Sequence, residues 1–154
     1  MIEIRPARRG EGQALYDVTQ AAITGLAAGH YSAAQIFNWM NGRDASYYER
    51  AIAGGAICVA ERDAVILGFV EAAAGVITRL FVRPEAAGQG LGRRLLEIGV
   101  AAALHNGAVR LEATLNAVPF YARCGFVELG RAMYQSPGGG LPVEIVNMVF
   151  YAPE

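Results

Sequence analysis

The stretch from Leu80 to Leu96, LFVRPEAAGQGLGRRLL, constrains this chain more than any other. Aromatic and branched side chains at Leu80–Val82 suit a pleated strand, and Pro84, which has no N–H to give a ladder, stops it. Gly88, Gly90 and Gly92 strip side chains from the turn that follows, so a ligand can lie directly on backbone N–H groups. Leu91, Leu95, Ile98 and Ala102 then recur at helical spacing, His105 falls in the last turn, and Asn106-Gly107 supplies a stop. A helix over about 90–105 is predicted. It begins without a Ser, Thr, Asp or Asn cap, which leaves as many as about four N–H groups without partners. Arg93 and Arg94 also sit at the positive end of its dipole, at a cost of about 0.3–1 kcal/mol each. A bound anion converts that cost into attraction, so the turn reads as an anion site.

Two nucleotide motifs fail at this turn. A dinucleotide fingerprint beginning at Gly88 would need glycine at position 93, where Arg93 stands. A Walker loop needs Gly-Lys-Ser/Thr, and the sequence contains no such string.

Upstream, Ile2 and Ile4 alternate with Glu3 and Arg5 up to Pro6, an edge-type strand. Leu15, Val18, Ala22 and Ile23 mark an amphipathic helix over about 11–25, with Gly25 and Gly29 as breakers. Ser32-Ala33-Ala34-Gln35 has the form of a capping box and opens a second helix carrying Ile36, Phe37, Trp39 and Met40, which Asn41-Gly42 ends. A third helix is predicted over 47–52. Strands follow at 57–60, 65–70 and 76–82, joined at hairpin distances into an antiparallel meander. The helix after the glycine turn then crosses to a strand at 109–115, which must run parallel to 76–82. Ligands collect at the carboxyl ends of such parallel strands, which is where the glycine turn lies. Asn116 is placed to cap a short helix ended by Gly125, and two last strands, 127–134 and 143–150, flank a Ser136–Gly140 hairpin loop.

Charge and composition narrow the partners. A formal net charge of −1 gives no long-range attraction to nucleic acid or an anionic membrane. No apolar run approaches the ~20 residues of a membrane span and no targeting segment opens the chain, so a cytoplasmic protein is expected. At 154 residues one domain, 1–154, accounts for the whole sequence. Cys58 and Cys124 are far apart and separate from His30 and His105, which predicts no metal site and two packing cysteines. A homodimer is compatible with so apolar a chain.

The turn Ala87-Gly88-Gln89-Gly90-Leu91-Gly92 resembles the pyrophosphate loop of the GNAT N-acetyltransferase superfamily, Gln/Arg-x-x-Gly-x-Gly/Ala, with Ala87 where the family usually has Gln or Arg. Leu115 to Phe126, Leu-Asn-Ala-x-x-Phe-Tyr-x-x-x-Gly-Phe, resembles the family's second signature, in the right order and spacing. The resemblance implies an α+β fold: a mixed, mostly antiparallel sheet of six or seven strands, one parallel pair splayed around the cofactor, and about four flanking helices. It implies acetyl-CoA as co-substrate and a primary amine of a small molecule or peptide as acceptor. It also implies that the Leu80, Phe81 and Val82 backbone pairs with the pantetheine arm, with an N–H at Phe81 or Val82 on the thioester carbonyl. The amides from Ala87 to Arg93 would hold the pyrophosphate. Thr114 stands where many relatives carry an Asn that touches pantetheine, and Asn116 is the substitute.

Tyr121 matches the position that protonates the departing CoA thiolate, a role its phenol suits at neutral pH; the alternative is a tyrosine packed against the cofactor. Glu71, on a central strand, is either the base that takes the ammonium proton through water or a solvent-facing strand residue. Arg79 either binds an acceptor carboxylate or pairs with Glu71 or Glu112. Tyr31 and Trp39 are either core or a wall of the acceptor pocket, which the 25–40 connection and the 134–143 loop would line. The competing function is a non-catalytic acyl-CoA sensor or interaction module on the same fold.

Overall fold

The computed structural model describes residues 1–26 and 29–153. Seven strands form one sheet: β1 (Glu3–Pro6), β2 (Ile57–Arg62), β3 (Val65–Ala73), β4 (Val76–Val82), β5 (Ala108–Thr114), β6 (Val127–Tyr134) and β7 (Val143–Tyr151). Their order is β1-β2-β3-β4-β5-β7-β6, and the β4–β5 pair alone is parallel. Among the described residues five α-helices flank it: α1 (Gly12–Leu26), α2 (Ala33–Trp39), α3 (Ala45–Ala53), α4 (Leu91–Ala103) and α5 (Val118–Arg123). The expected mixed sheet with one parallel pair is the observed one.

Side-chain alternation along the sheet separates two cores. Phe69 of β3 packs with Leu15 and Val18 of α1 and Tyr48 of α3, whereas its neighbour Val70 packs with Leu91, Leu95 and Leu96 of α4. Successive strand residues point to opposite faces, so α1 and α3 cover one side of the sheet and α4 the other. Helix α4 lies close because Gly99 has no side chain: a Cβ there would stand 2.8 Å from Val70 Cγ2. A third cluster, Ile23, Tyr31, Trp39, Met40, Val143 and Ile145, ties α2 to β7.

Local chemistry departs from the sequence reading at four places. Gly25 lies inside α1, where its missing side chain admits Pro84, whose Cγ would be 2.6 Å from a Cβ. Helix α3 starts earlier than expected because Asp44 caps it, accepting from Tyr47 N–H at 2.8 Å. Helix α4 ends at Ala103, and His105 instead bridges Ala108 across a tight Asn106-Gly107 turn with φ of 52° and 76°. Asn116 does not cap α5: residues Leu115–Ala117 form a 3₁₀ turn and Ala117 takes the cap position without a side-chain bond.

Two register facts shape the middle of the sheet. Glu71 opposes Arg79 and Ala72 opposes Ile77, so Thr78 is an extra residue in β4, a bulge. The parallel pairing of β4 with β5 is confined to Val76↔Arg110 and Ile77↔Leu111 and stops at the same point. A bulge bends its strand and strengthens its twist. From Thr78 onward β4 follows β3 and leaves β5, which pairs with β7 along its whole length.

Candidate active site

The divergence of β4 from β5 opens a cleft of about 690 Å³ at the carboxyl ends of the two strands. Its walls are Thr78–Val82 on one side and Leu111, Glu112 and Thr114 on the other, with the glycine turn, Asn116, Phe120 and Tyr121 completing the lining; the Phe120 ring lies against Gly92 of the turn, 3.4 Å from where a Cβ would stand. Backbone N–H groups along a strand alternate between its two edges. Arg83 N–H bonds to Leu67 O on β3 at 2.8 Å, so Val82 and Leu80 turn their N–H groups toward the cleft and Phe81 turns its own toward β3. Of the two amides expected to face a thioester, Val82 has the right direction.

The glycine turn ends in the left-handed region, with φ of 78° at Gly88 and 81° at Gly90. A Cβ added at either would meet nothing within 4 Å, so the space above the turn is open. Gly90 occupies the α4 cap position and gives it no side-chain bond, which leaves the first N–H groups of α4 facing that space. Arg93 lines the same end of the cleft, and Arg123 adds a second cation from α5. The turn therefore offers amides, a helix dipole and guanidiniums to an anion.

Asn116, which lines the same cleft, carries a buried Oδ1 with no hydrogen-bond partner among the described residues. An orphaned acceptor costs about 1–3 kcal/mol, and an amide N–H of a bound molecule would remove that cost. Tyr121 also lines the cleft, 6% exposed, held edge-on between Phe120 and Phe126 at ring distances of 5.2 and 5.7 Å. Burial, with a smaller contribution from Cys124, pushes its phenol well above the usual tyrosine pKa. Its hydroxyl bonds to no protein group among the described residues, so its proton is available to a ligand. An elongated molecule with a phosphate-bearing end and amide groups, as coenzyme A is, fits this donor and acceptor set.

Two other members of the predicted loop, Gln89 and Leu91, do not line the cleft. Gln89 turns back to donate to Glu85 O at 3.3 Å, and the Leu91 side chain is in the core. Ala87 lines the cleft with its methyl group.

A second cleft, of about 650 Å³, opens on the α2–α3 side of the sheet and is lined by Trp39, Arg43, Tyr47 and Tyr134 together with Arg79, Phe81, Arg110 and Glu112. The two clefts share Ile77–Arg79, Phe81, Leu111, Glu112 and Thr114, and so meet where β4 and β5 part. Arg79 pairs with Glu71 and donates to Tyr47 OH at 2.6 Å. Glu71 also accepts from Thr78 Oγ1 at 2.7 Å and lines neither cleft. Glu112 is the one carboxylate among the described residues that lines them, and it lines both.

Of the aromatic residues singled out in the sequence, Trp39 is core and wall at once, 5% exposed and tilted against Tyr134 at 5.9 Å. Tyr31 lines neither cleft; its hydroxyl donates to Glu144 O at 2.6 Å and accepts from Leu115 N–H at 2.9 Å, pinning α2's approach to β7. The expected pocket wall over 25–40 and 134–143 is thus reduced to Trp39 and Tyr134, with His30 on the first cleft; Ala27 and Ala28 lie outside the described residues. Arg43, Tyr47, Glu112 and Arg123 had no signal in the sequence beyond their residue types, because only the turn after α2, the start of α3 and the β5 register bring them here.

The sequence profile of the acetyltransferase (GNAT) domain matches residues 27–138. Over 125 residues the chain is 31% identical to the uncharacterized N-acetyltransferase YafP of Escherichia coli (strain K12), covering 81% of each chain. Its fold is similar to that of a GCN5-related N-acetyltransferase from Rhodopseudomonas palustris, at a TM-score of 0.85 and 22% identity over 97% of this chain and 94% of that one. It is also similar to the PaiA N-acetyltransferase of Thermoplasma acidophilum in complex with coenzyme A, at a TM-score of 0.73 and 21% identity over 98% and 99%.

Proposed function

Because the chain belongs to the GNAT acetyltransferase family, we propose that it transfers the acetyl group of acetyl-CoA to a primary amine by direct attack within a ternary complex. The observation that carries this reading is the first cleft, where an uncapped helix terminus, a strand edge without a partner and the Tyr121 hydroxyl converge.

Acetyl-CoA, when bound, supplies an activated acetyl group as a thioester. Amides of the Ala87–Arg93 turn, with Arg93 and Arg123 beside them, bind its pyrophosphate. The unpaired edge at Leu80 and Val82 takes the pantetheine as an added strand, and the Asn116 carboxamide oxygen accepts one of its N–H groups. Val82 N–H points where negative charge develops on the thioester oxygen, a preorganised donor of the kind that contributes most in a dry site. Tyr121 gives its proton to the thiolate, which its raised pKa keeps in place until a strong base forms beside it.

The acceptor enters through the second cleft and meets the thioester at the shared wall. Glu112 is the carboxylate in reach of both clefts and takes the ammonium proton, directly or through water. Glu71, spent on Arg79 and Thr78, positions Arg79 instead.

Thiol release from acetyl-CoA across a panel of amines, run beside calorimetric titration of acetyl-CoA, tests the proposal. Amine-dependent thiol release supports transfer. Binding of acetyl-CoA with no thiol release on any amine supports a non-catalytic sensor.

A further inference from the structure

The second cleft holds more positive charge than its own residues neutralise. Arg43, Arg79 and Arg110 line it against Glu112, and Glu71 pairs with Arg79, so three cations face two carboxylates. Neither Arg43 nor Arg110 pairs with a carboxylate among the described residues, and of the two Arg110 is exposed to solvent whereas Arg43 is half-buried. Its Nη1 donates to Tyr48 OH at 3.0 Å and its Nη2 to Tyr134 OH, while its Nε is buried with no partner. No carboxylate among the described residues pairs with it. Arg79 lies close by, and both guanidiniums pack on the Tyr47 ring, at 5.3 Å for Arg43 and 5.2 Å for Arg79.

The tyrosines add to the imbalance. Tyr47 OH accepts from Arg79 and Tyr134 OH accepts from Arg43, and neither phenol has an acceptor for its own proton among the described residues. A guanidinium has only donors to offer. The cleft therefore presents two unspent phenolic O–H groups and one uncompensated positive charge, whose guanidinium also carries a buried, unpartnered N–H, with Trp39 and Phe81 as apolar walls. Half-burying a guanidinium without a counter-ion is costly, so this arrangement favours an anion at Arg43.

We infer that the acceptor amine is an amino-carboxylate, whose carboxylate binds between Arg43 and the Tyr47 and Tyr134 hydroxyls at the edge of Arg79. The inference rests on the acetyltransferase reading for the fate of the amine, and on the second cleft alone for the carboxylate. One carboxylate pairs with the one half-buried guanidinium that has no carboxylate partner, Arg43, and leaves the ammonium of the same molecule to Glu112. The placement suits transfer, because Arg79 directly precedes Leu80 and lines both clefts, so a short acceptor anchored there extends its amine toward Leu80–Val82.

Trp39, the sole tryptophan of the chain, lines this cleft and reports its occupancy by fluorescence. Wild-type protein is titrated with α-, β- and γ-amino acids, with their methyl esters and with aminoethyl phosphate, beside calorimetric titration of acetyl-CoA. At least one amino acid is expected to bind tenfold or more tighter than its ester. Arg43→Gln should abolish that preference while leaving acetyl-CoA affinity within about twofold, and Arg43→Lys, which keeps the charge but not the fork, should retain part of it. Should Arg43→Gln lose acetyl-CoA binding and so prove misfolded, Arg43→Lys carries the comparison. Esters that bind as tightly as acids, or a preference that survives Arg43→Gln, overturn the inference, and aminoethyl phosphate binding above every amino acid overturns the carboxylate assignment. Amino acids that bind selectively to a protein with no affinity for acetyl-CoA would uphold the carboxylate site and overturn the acetyltransferase reading instead.

Discussion

Glu71 and Arg79 stand opposite each other on β3 and β4 and form an ion pair beside Thr78, the extra residue at which β4 bulges away from β5. The pair sits at the seam between the two clefts: Arg79 reaches both, and Glu71 neither. A carboxylate so engaged holds a cation in place, and in the proposed mechanism the ammonium proton goes instead to Glu112, the carboxylate that lines both clefts.

That division predicts opposite kinetic signatures. Glu71→Gln should raise the acceptor KM several-fold through a loosened Arg79 and leave kcat within about threefold, whereas Glu112→Gln should lower kcat about 10²-fold, as loss of a general base does. Steady-state kinetics on both variants check this, and a kcat loss confined to Glu71→Gln would return the base to that residue.

Gly90 predicts a coupled loss of stability and of cofactor affinity. Its φ of 81° costs a side-chain-bearing residue about 1–2 kcal/mol, although the space around it is open. Gly90→Ala should therefore lower Tm by roughly 2–8 °C and weaken acetyl-CoA binding, as read by thermal melts and calorimetry.

For Asn116 the two effects should have opposite signs. Its orphaned Oδ1 costs the free protein and rewards the complex. Asn116→Ala is expected to leave the free protein as stable or more so, and to weaken acetyl-CoA binding by roughly fivefold or more, about 1 kcal/mol or above. A variant less stable than wild type with unchanged affinity would place Asn116 outside the cofactor site.

Much of this architecture was legible in the chain because the decisive signals are local. Strand-ending Pro84, the glycines after it and the apolar periodicity from Leu91 specify strand, turn and helix without reference to the rest of the fold. The uncapped start of α4, visible as a missing Ser, Thr, Asp or Asn, is an absence the backbone bears out. The second cleft was not legible, since Arg43, Tyr47, Arg79 and Tyr134 come from four separate elements and meet only through sheet register and helix docking. Asn116 shows the limit of local rules: its type suits a helix cap, yet the 3₁₀ turn carries it one residue early and leaves its oxygen facing the cleft wall. Tyr31 shows another, because two backbone partners distant in sequence consume a hydroxyl that looked free for a ligand.

Gly99 gives a prediction on the fold itself. A methyl group there meets Val70 Cγ2 at 2.8 Å in a packed interface, so Gly99→Ala should cost about 1–3 kcal/mol as α4 is displaced. Because α4 carries the glycine turn, chemical denaturation and acetyl-CoA affinity should move together.

Acetyl transfer in the cleft between β4 and β5 is proposed to use Tyr121 as the acid. Burial raises the phenol pKa above its ordinary value near 10, so the proton stays on Tyr121 across the neutral and mildly alkaline range, and wild-type kcat should show no alkaline fall from this group below about pH 10. The most direct measurement is kcat for thiol release by Tyr121→Phe across that range, with its acetyl-CoA Kd determined in parallel. A loss of about 10²-fold or more in kcat is expected at every pH, with Kd within a few-fold of wild type; an unchanged kcat would remove Tyr121 from the proton transfer.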